Sequence, residues 1–171
     1  MKNFLLGVLI IVVIVVCYLL YKEYSFSPLN KKDFQKLFKG DNISFDKSCS
    51  QDFIGASLHG ELFEFYNYKI KGITIDKDYP RITAWENKKI TNPTAIGRWR
   101  NCPIDSQTTA LYQSSILSSM NLENVKCGSS FKKDIINPNN YYSYVYFSES
   151  EEYFLLYCTD RQELYYIRLN L

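Results

Sequence analysis

The chain opens on an unbroken apolar run that begins at Phe4 and ends at Tyr21 (FLLGVLIIVVIVVCYLLY), without one charged side chain. Eighteen helical residues rise about 27 Å, close to the roughly 30 Å hydrocarbon core of a bilayer. The pattern predicts an uncleaved transmembrane signal-anchor over residues 1–21, with the lipid bilayer as its partner through residues 4–21. A removable leader fits less well. The run is longer than a secretory core, it ends in the bulky residues Tyr18, Leu19, Leu20 and Tyr21, and the small-x-small triplet Ser25-Phe26-Ser27 is followed by Pro28. A lipoprotein reading of Cys17 is opposed by Val15 and Val16 before it, where small side chains are required. Tyr18, Tyr21, Tyr24 and Lys22 suit a membrane–water interface. Gly7 has no small partner four residues away, so no packed helix pair is expected.

Residues 22–29 read as a juxtamembrane linker, and residues 30–171 as one domain. Asn30 is placed to cap a helix over 30–38, with Phe34, Leu37 and Phe38 on one face and Gly40 beyond its end. From Ile43 the rhythm shortens to that of strands. Residues 61–70 (ELFEFYNYKI) alternate, and short strands are expected over 73–76 and 81–86, with turns at Tyr79-Pro80 and Asn92-Pro93. Helical spacing returns over 105–120, capped by Asp105 or Ser106. Three strands over 141–147, 153–158 and 163–169, joined by polar turns, form an antiparallel meander. The middle one is apolar on both faces and therefore expects cover on both. The fold class is α+β: a transmembrane helix, then a mainly antiparallel sheet with about two helices.

The sidedness of the anchor draws on opposed signals. Lys2 precedes it, whereas Lys22, Lys31, Lys32, Lys36 and Lys39 follow it. Some of the latter belong to the predicted helix, so the reading leans to an extracytoplasmic domain. Beyond the anchor lie Cys49, Cys102, Cys127 and Cys158, an even number and all candidates for disulfides after export. Their spacing matches no zinc motif and there is a single histidine, so no metal or other cofactor is expected. A formal charge of +2 over 171 residues argues against nucleic acid as a partner.

Candidate chemistry is sparse. His59, with Cys49 nearby in sequence, offers a Cys–His dyad that lacks any nucleophile context. Arg98, Trp99 and Arg100 form the densest cluster and could grip an anion or act as an interface hot spot; equally, they describe a strand with Trp99 inward and both arginines in solvent. Tyr142, Tyr144 and Tyr146 share a strand face, with Tyr165 or Tyr166 as cross-strand neighbours, and fit a binding surface or a half-buried ladder. The acidic stretch 148–152 reads as a hairpin tip, and Asp76 with Asp78 lacks the rest of a calcium loop. No phosphate-binding, hydrolase, zincin or dinucleotide fingerprint is present. These features expect a membrane-anchored, non-enzymatic protein-binding domain, of which an envelope-tethered inhibitor or immunity-type protein is one form. A scaffold subunit of a membrane complex, or an enzyme using His59, stands as the alternative.

Overall fold

The computed structural model describes residues 2–25, 29–55, 61–76, 78–86, 96–113, 125–126, 128–148 and 151–171, with side chains left out at 2–5, 20–25 and 110–113. The fold is α+β. Six strands form one antiparallel sheet: β1 (Ser44–Asp52), β2 (Leu62–Lys71), β3 (Arg100–Asn101), β4 (Tyr141–Ser148), β5 (Glu151–Cys158) and β6 (Glu163–Asn170), in the spatial order β1-β2-β6-β5-β4-β3. Among the described residues they are accompanied by the α-helices α1 (Lys2–Ser25), α2 (Lys31–Leu37), α3 (Ser106–Gln113) and α4 (Phe131–Asp134), and by a 3₁₀ turn at Thr83–Trp85.

Among the described residues, no helix is long and apolar enough to cross a membrane. This overturns the single-pass transmembrane reading of the opening run and the membrane location built upon it. Within α1, the residues whose side chains are described, 6–19, are all exposed.

The sheet is buried on both faces because its inner strands carry apolar residues in both alternating sets. Phe65, Tyr165, Ile167, Phe154, Leu156 and Tyr142 point to one face, beneath Phe131 of α4 and Val125. Tyr66, Tyr166, Leu155 and Val145 point to the other, beneath Phe34, Leu37 and Phe38 around α2, with Trp85 and Trp99. β5 sits between β6 and β4, and its residues 152–158 are all buried. At the sheet's margin β1 is mostly exposed and carries a register break between Lys47 and Cys49. Gly72 turns the chain after β2 at φ +74, where an added Cβ would stand 2.5 Å from the Asn42 carbonyl oxygen. Only glycine combines that backbone with that approach.

Two expected strands take other forms. Around 73–76, Thr74 makes only an isolated bridge to Lys39. The segment 81–86 coils into the 3₁₀ turn because the Thr83 N–H donates to Asp33 Oδ1 at 2.8 Å and the Trp85 N–H donates back to the Ile82 carbonyl. Helix α3 covers 106–113 of the expected 105–120, and residues 114–120 lie outside the described set.

Candidate binding cleft between helix α2 and the sheet

A cleft of about 440 Å³ opens where the start of α2 and the 3₁₀ turn lie over the ends of β5 and β6. Its roof is Leu29, Asn30, Asp33, Ile82, Thr83 and Ala84, and its floor is Glu151, Tyr153, Tyr166, Arg168 and Asn170.

Local sequence builds the roof. Asn30 Oδ1 accepts the N–H groups of Lys32 and Asp33 at 2.8 and 3.2 Å, while Asp33 Oδ2 accepts the Asn30 N–H at 3.0 Å. This reciprocal cap starts α2 and fixes the Asp33 carboxylate, whose other oxygen holds the 3₁₀ turn. Lys36 strengthens the join through Glu86 at 2.6 Å and Thr83 Oγ1 at 3.3 Å. The Leu29 N–H donates to the Tyr68 hydroxyl at 2.9 Å, tying the entry to α2 onto the sheet.

Strand register builds the floor. Arg168 of β6 stands between Glu64 of β2 and Tyr153 of β5, and the next row inward is Tyr66, Tyr166 and Leu155. Tyr153, Tyr166, Tyr66 and Tyr68 stack in succession, with ring centroids 6.2, 6.0 and 6.1 Å apart. Trp85 meets Tyr153 edge-on at 5.1 Å. The Tyr153 hydroxyl donates to Glu151 Oε1 at 2.6 Å.

Burial dominates the electrostatics here. It raises the Glu64 carboxyl above its ordinary range against the opposing pull of Arg168. It also raises the Tyr66, Tyr153 and Tyr166 hydroxyls, with neighbouring Glu64, Glu151 and Tyr153 adding to the respective shifts. The Arg168 guanidinium lies 3.7 Å from Glu64 Oε2, too far for a good hydrogen bond. Among the described residues, Glu64 Oε2 and Arg168 Nε have no hydrogen-bond partner. An ion pair left this loose between a buried carboxylate and a half-buried guanidinium is costly to keep.

The residues singled out from sequence lie elsewhere. Trp99 is buried in the core against Phe38, at a centroid distance of 5.4 Å. Its neighbours diverge: Arg98 lies over the Tyr79 ring at 4.9 Å, and Arg100 pairs with Asp105 at 2.9 Å. Tyr142 and Tyr144 are buried on the face that also carries Tyr165, while Tyr166 points to the opposite face and Tyr146 is half-buried. The Tyr142 hydroxyl donates to Asp105 Oδ2 at 2.6 Å. Asp105 is the cap of α3, accepting the Thr108 N–H at 2.8 Å. Burial works against its charge, but the bonds from Tyr142 and Thr108 and the charge of Arg100 outweigh it and lower the carboxyl to about 2.

The chain matches no protein-family model, no curated protein and no solved structure.

The cysteines divide. Cys49 is disulfide-bonded, so it offers no thiolate to a Cys–His dyad. His59 and Cys127 lie outside the described residues. Cys102 and Cys158 are buried free thiols, which corrects the reading of all four as disulfide candidates. Burial, aided by the charge of Asp134, pushes Cys102 up to about 12 and Cys158 higher still. Such thiols are inert small hydrophobes. Beside Cys158, Asp134 is gripped by both terminal nitrogens of Arg161 and accepts the Tyr165 hydroxyl at 3.1 Å, a tie between α4 and the β5–β6 hairpin. Among the described residues, no group of three or more His, Cys, Asp or Glu side chains converges as a metal site would require.

Sequence reasoning passed over the cleft. A signal did exist: Glu64 sits between Phe63 and Phe65, and Arg168 between Ile167 and Leu169. A charge inside an otherwise apolar alternation marks a strand position with a polar task.

Proposed function

We propose that the chain is a non-enzymatic binding domain whose working site is the cleft between α2, the 3₁₀ turn and the ends of β5 and β6. One observation carries this reading: a cavity of about 440 Å³ in which Asp33, Glu151 and Arg168 converge from separate elements. That volume suits a small ligand or a single inserted side chain, and fixed polar groups of this kind orient a ligand in such sites.

The test is amide-shift mapping by NMR on the full chain. Amino acids, amines, carboxylates, sugars and nucleotides would each be added to about 10 mM, a level that reveals even millimolar affinity. Saturable shifts confined to the amides of 29–33, 82–84, 151–153 and 166–170 support the reading. Saturable binding that maps elsewhere, or no response from any class, overturns it.

A protein partner is the second reading, favoured by β1. It lies at the margin of the sheet, with β2 on one side and no strand on the other among the described residues, the position at which an extended segment of another chain adds to a sheet. Substituting proline at Lys47 should then abolish co-purification of that partner while the domain stays folded. Undiminished co-purification would remove β1 from consideration.

A further inference from the structure

We infer that the cleft takes a small zwitterion of α-amino-acid type, with an aliphatic side chain. This inference rests on the binding reading above and names the ligand class for the same site.

The charges lining the cleft are of both signs and stand on different walls. Arg168 rises from the sheet floor, Asp33 hangs from α2, and Glu151 stands at the start of β5. A plain anion reaching Arg168 would also face two carboxylates. A plain cation drawn to those carboxylates would face the guanidinium. A molecule carrying both charges satisfies both walls, and complementarity of that kind gives specificity as well as attraction.

Hydrogen-bonding capacity points the same way. Glu64 is the cross-strand neighbour of Arg168, yet it approaches no closer than 3.7 Å, and Glu64 Oε2 has no hydrogen-bond partner among the described residues although its side chain is only 4% exposed. The half-buried Arg168 guanidinium is therefore loosely held, and its planar fork matches a carboxylate. On the opposite wall each Asp33 oxygen accepts one backbone N–H. A carboxylate oxygen has two lone pairs, so each retains capacity for an ammonium donor. Leu29, Ile82 and Ala84 complete the wall between them. The buried Leu29 and Ile82 give an aliphatic group an apolar surface beside the polar Asn30, Thr83 and Asn170.

The experiment compares L-leucine with two molecules that each lack one of its charges. Isoamylamine keeps the ammonium and the branched chain, and 4-methylpentanoate keeps the carboxylate and the chain. Calorimetric titration into the full chain should show leucine binding at least about tenfold more tightly than either analogue. Arg168→Gln should erase the preference over isoamylamine, both by weakening leucine and by relieving the amine of the guanidinium's repulsion, and Arg168→Lys should restore part of it. Glu151→Gln, at the cleft's rim, should instead narrow the preference over 4-methylpentanoate. Either analogue matching leucine, or an Arg168→Gln protein that is folded by circular dichroism and binds leucine as before, overturns the inference. The comparison among the three ligands needs no variant, so it decides even if Arg168→Gln fails to fold. Failure of all three probes to bind also overturns it. The binding reading itself then stands or falls on whether any other class shifts the cleft amides.

Discussion

Trp99 shows what a residue's environment does to its chemistry. Two flanking arginines make the triplet resemble an anion grip, yet alternation along an extended backbone sends the indole inward and the guanidiniums outward. The ring ends against Phe38 with 4% of its surface exposed. Trp99→Ala should therefore cost about 3–5 kcal/mol of unfolding free energy, the range for emptying a large aromatic site in a packed core. Urea unfolding followed by circular dichroism measures it. A loss below about 1 kcal/mol would show that the ring does not pack as described. Arg168 of the cleft floor and its cross-strand neighbour Glu64 obey the same logic in reverse. Glu64 and Arg168 are charged side chains on inward-facing positions, and each remains there because its strand neighbour is the other.

Among elements, the join between α4 and the β5–β6 hairpin is the most exactingly partnered. Asp134 is buried, and its carboxylate serves Arg161 and Tyr165 together, while Asn140 donates to the Asp134 carbonyl at 2.9 Å. Asp134→Ala takes the acceptor from the buried Tyr165 O–H, which keeps only the Arg161 N–H donated to it at 3.1 Å, and frees the part-exposed Arg161 from its carboxylate. The expected cost is about 2 kcal/mol, below that of breaking a fully buried pair. Hydrogen exchange should quicken at the amides of 131–135 before it does in β5, and equal acceleration across the sheet would refute the local tie. The elements most legible in the sequence are those specified by neighbouring residues: the reciprocal cap of α2, the Asp105 cap of α3, and the meander, whose turns are short and whose middle strand is apolar throughout. Segments whose form depends on distant partners were not legible. Residues 81–86 have a strand's composition, and a carboxylate fifty positions earlier bends them into a turn. The cleft was hidden for the same reason, since Asp33, Thr83, Glu151 and Arg168 converge only once β2, β5 and β6 are in register.

For the whole molecule, redox state and pH are the levers the structure exposes. The Cys49 disulfide closes a loop of the chain, so its reduction should cost about 2–5 kcal/mol, while Cys102 and Cys158 stay unreactive to a thiol reagent until the domain unfolds. Rapid labelling of either thiol in the native protein would contradict their burial. The pH response carries two opposed contributions. Asp105 is held at about 2 against an ordinary 3.8, so the unfolded chain binds more protons between those values. Its contribution is complete above about pH 4 and drains away as pH falls through 2. Glu64 is raised above an ordinary 4.5, so there the folded protein binds the extra proton. Stability from that site falls as pH rises from 4.5 through its folded value, because a charge must then form beside an imperfect partner. Unfolding free energies measured from pH 2 to 8 should separate the two. Asp105→Asn should flatten the acid limb of the curve and leave the rest unchanged. Glu64→Gln should remove a downward slope above pH 4.5 and leave the acid limb intact. A Glu64→Gln curve parallel to wild type above pH 4.5 would mean that Arg168 already stabilises the charged form fully. The looseness of that pair, on which the reading of the cleft depends, would then be wrong.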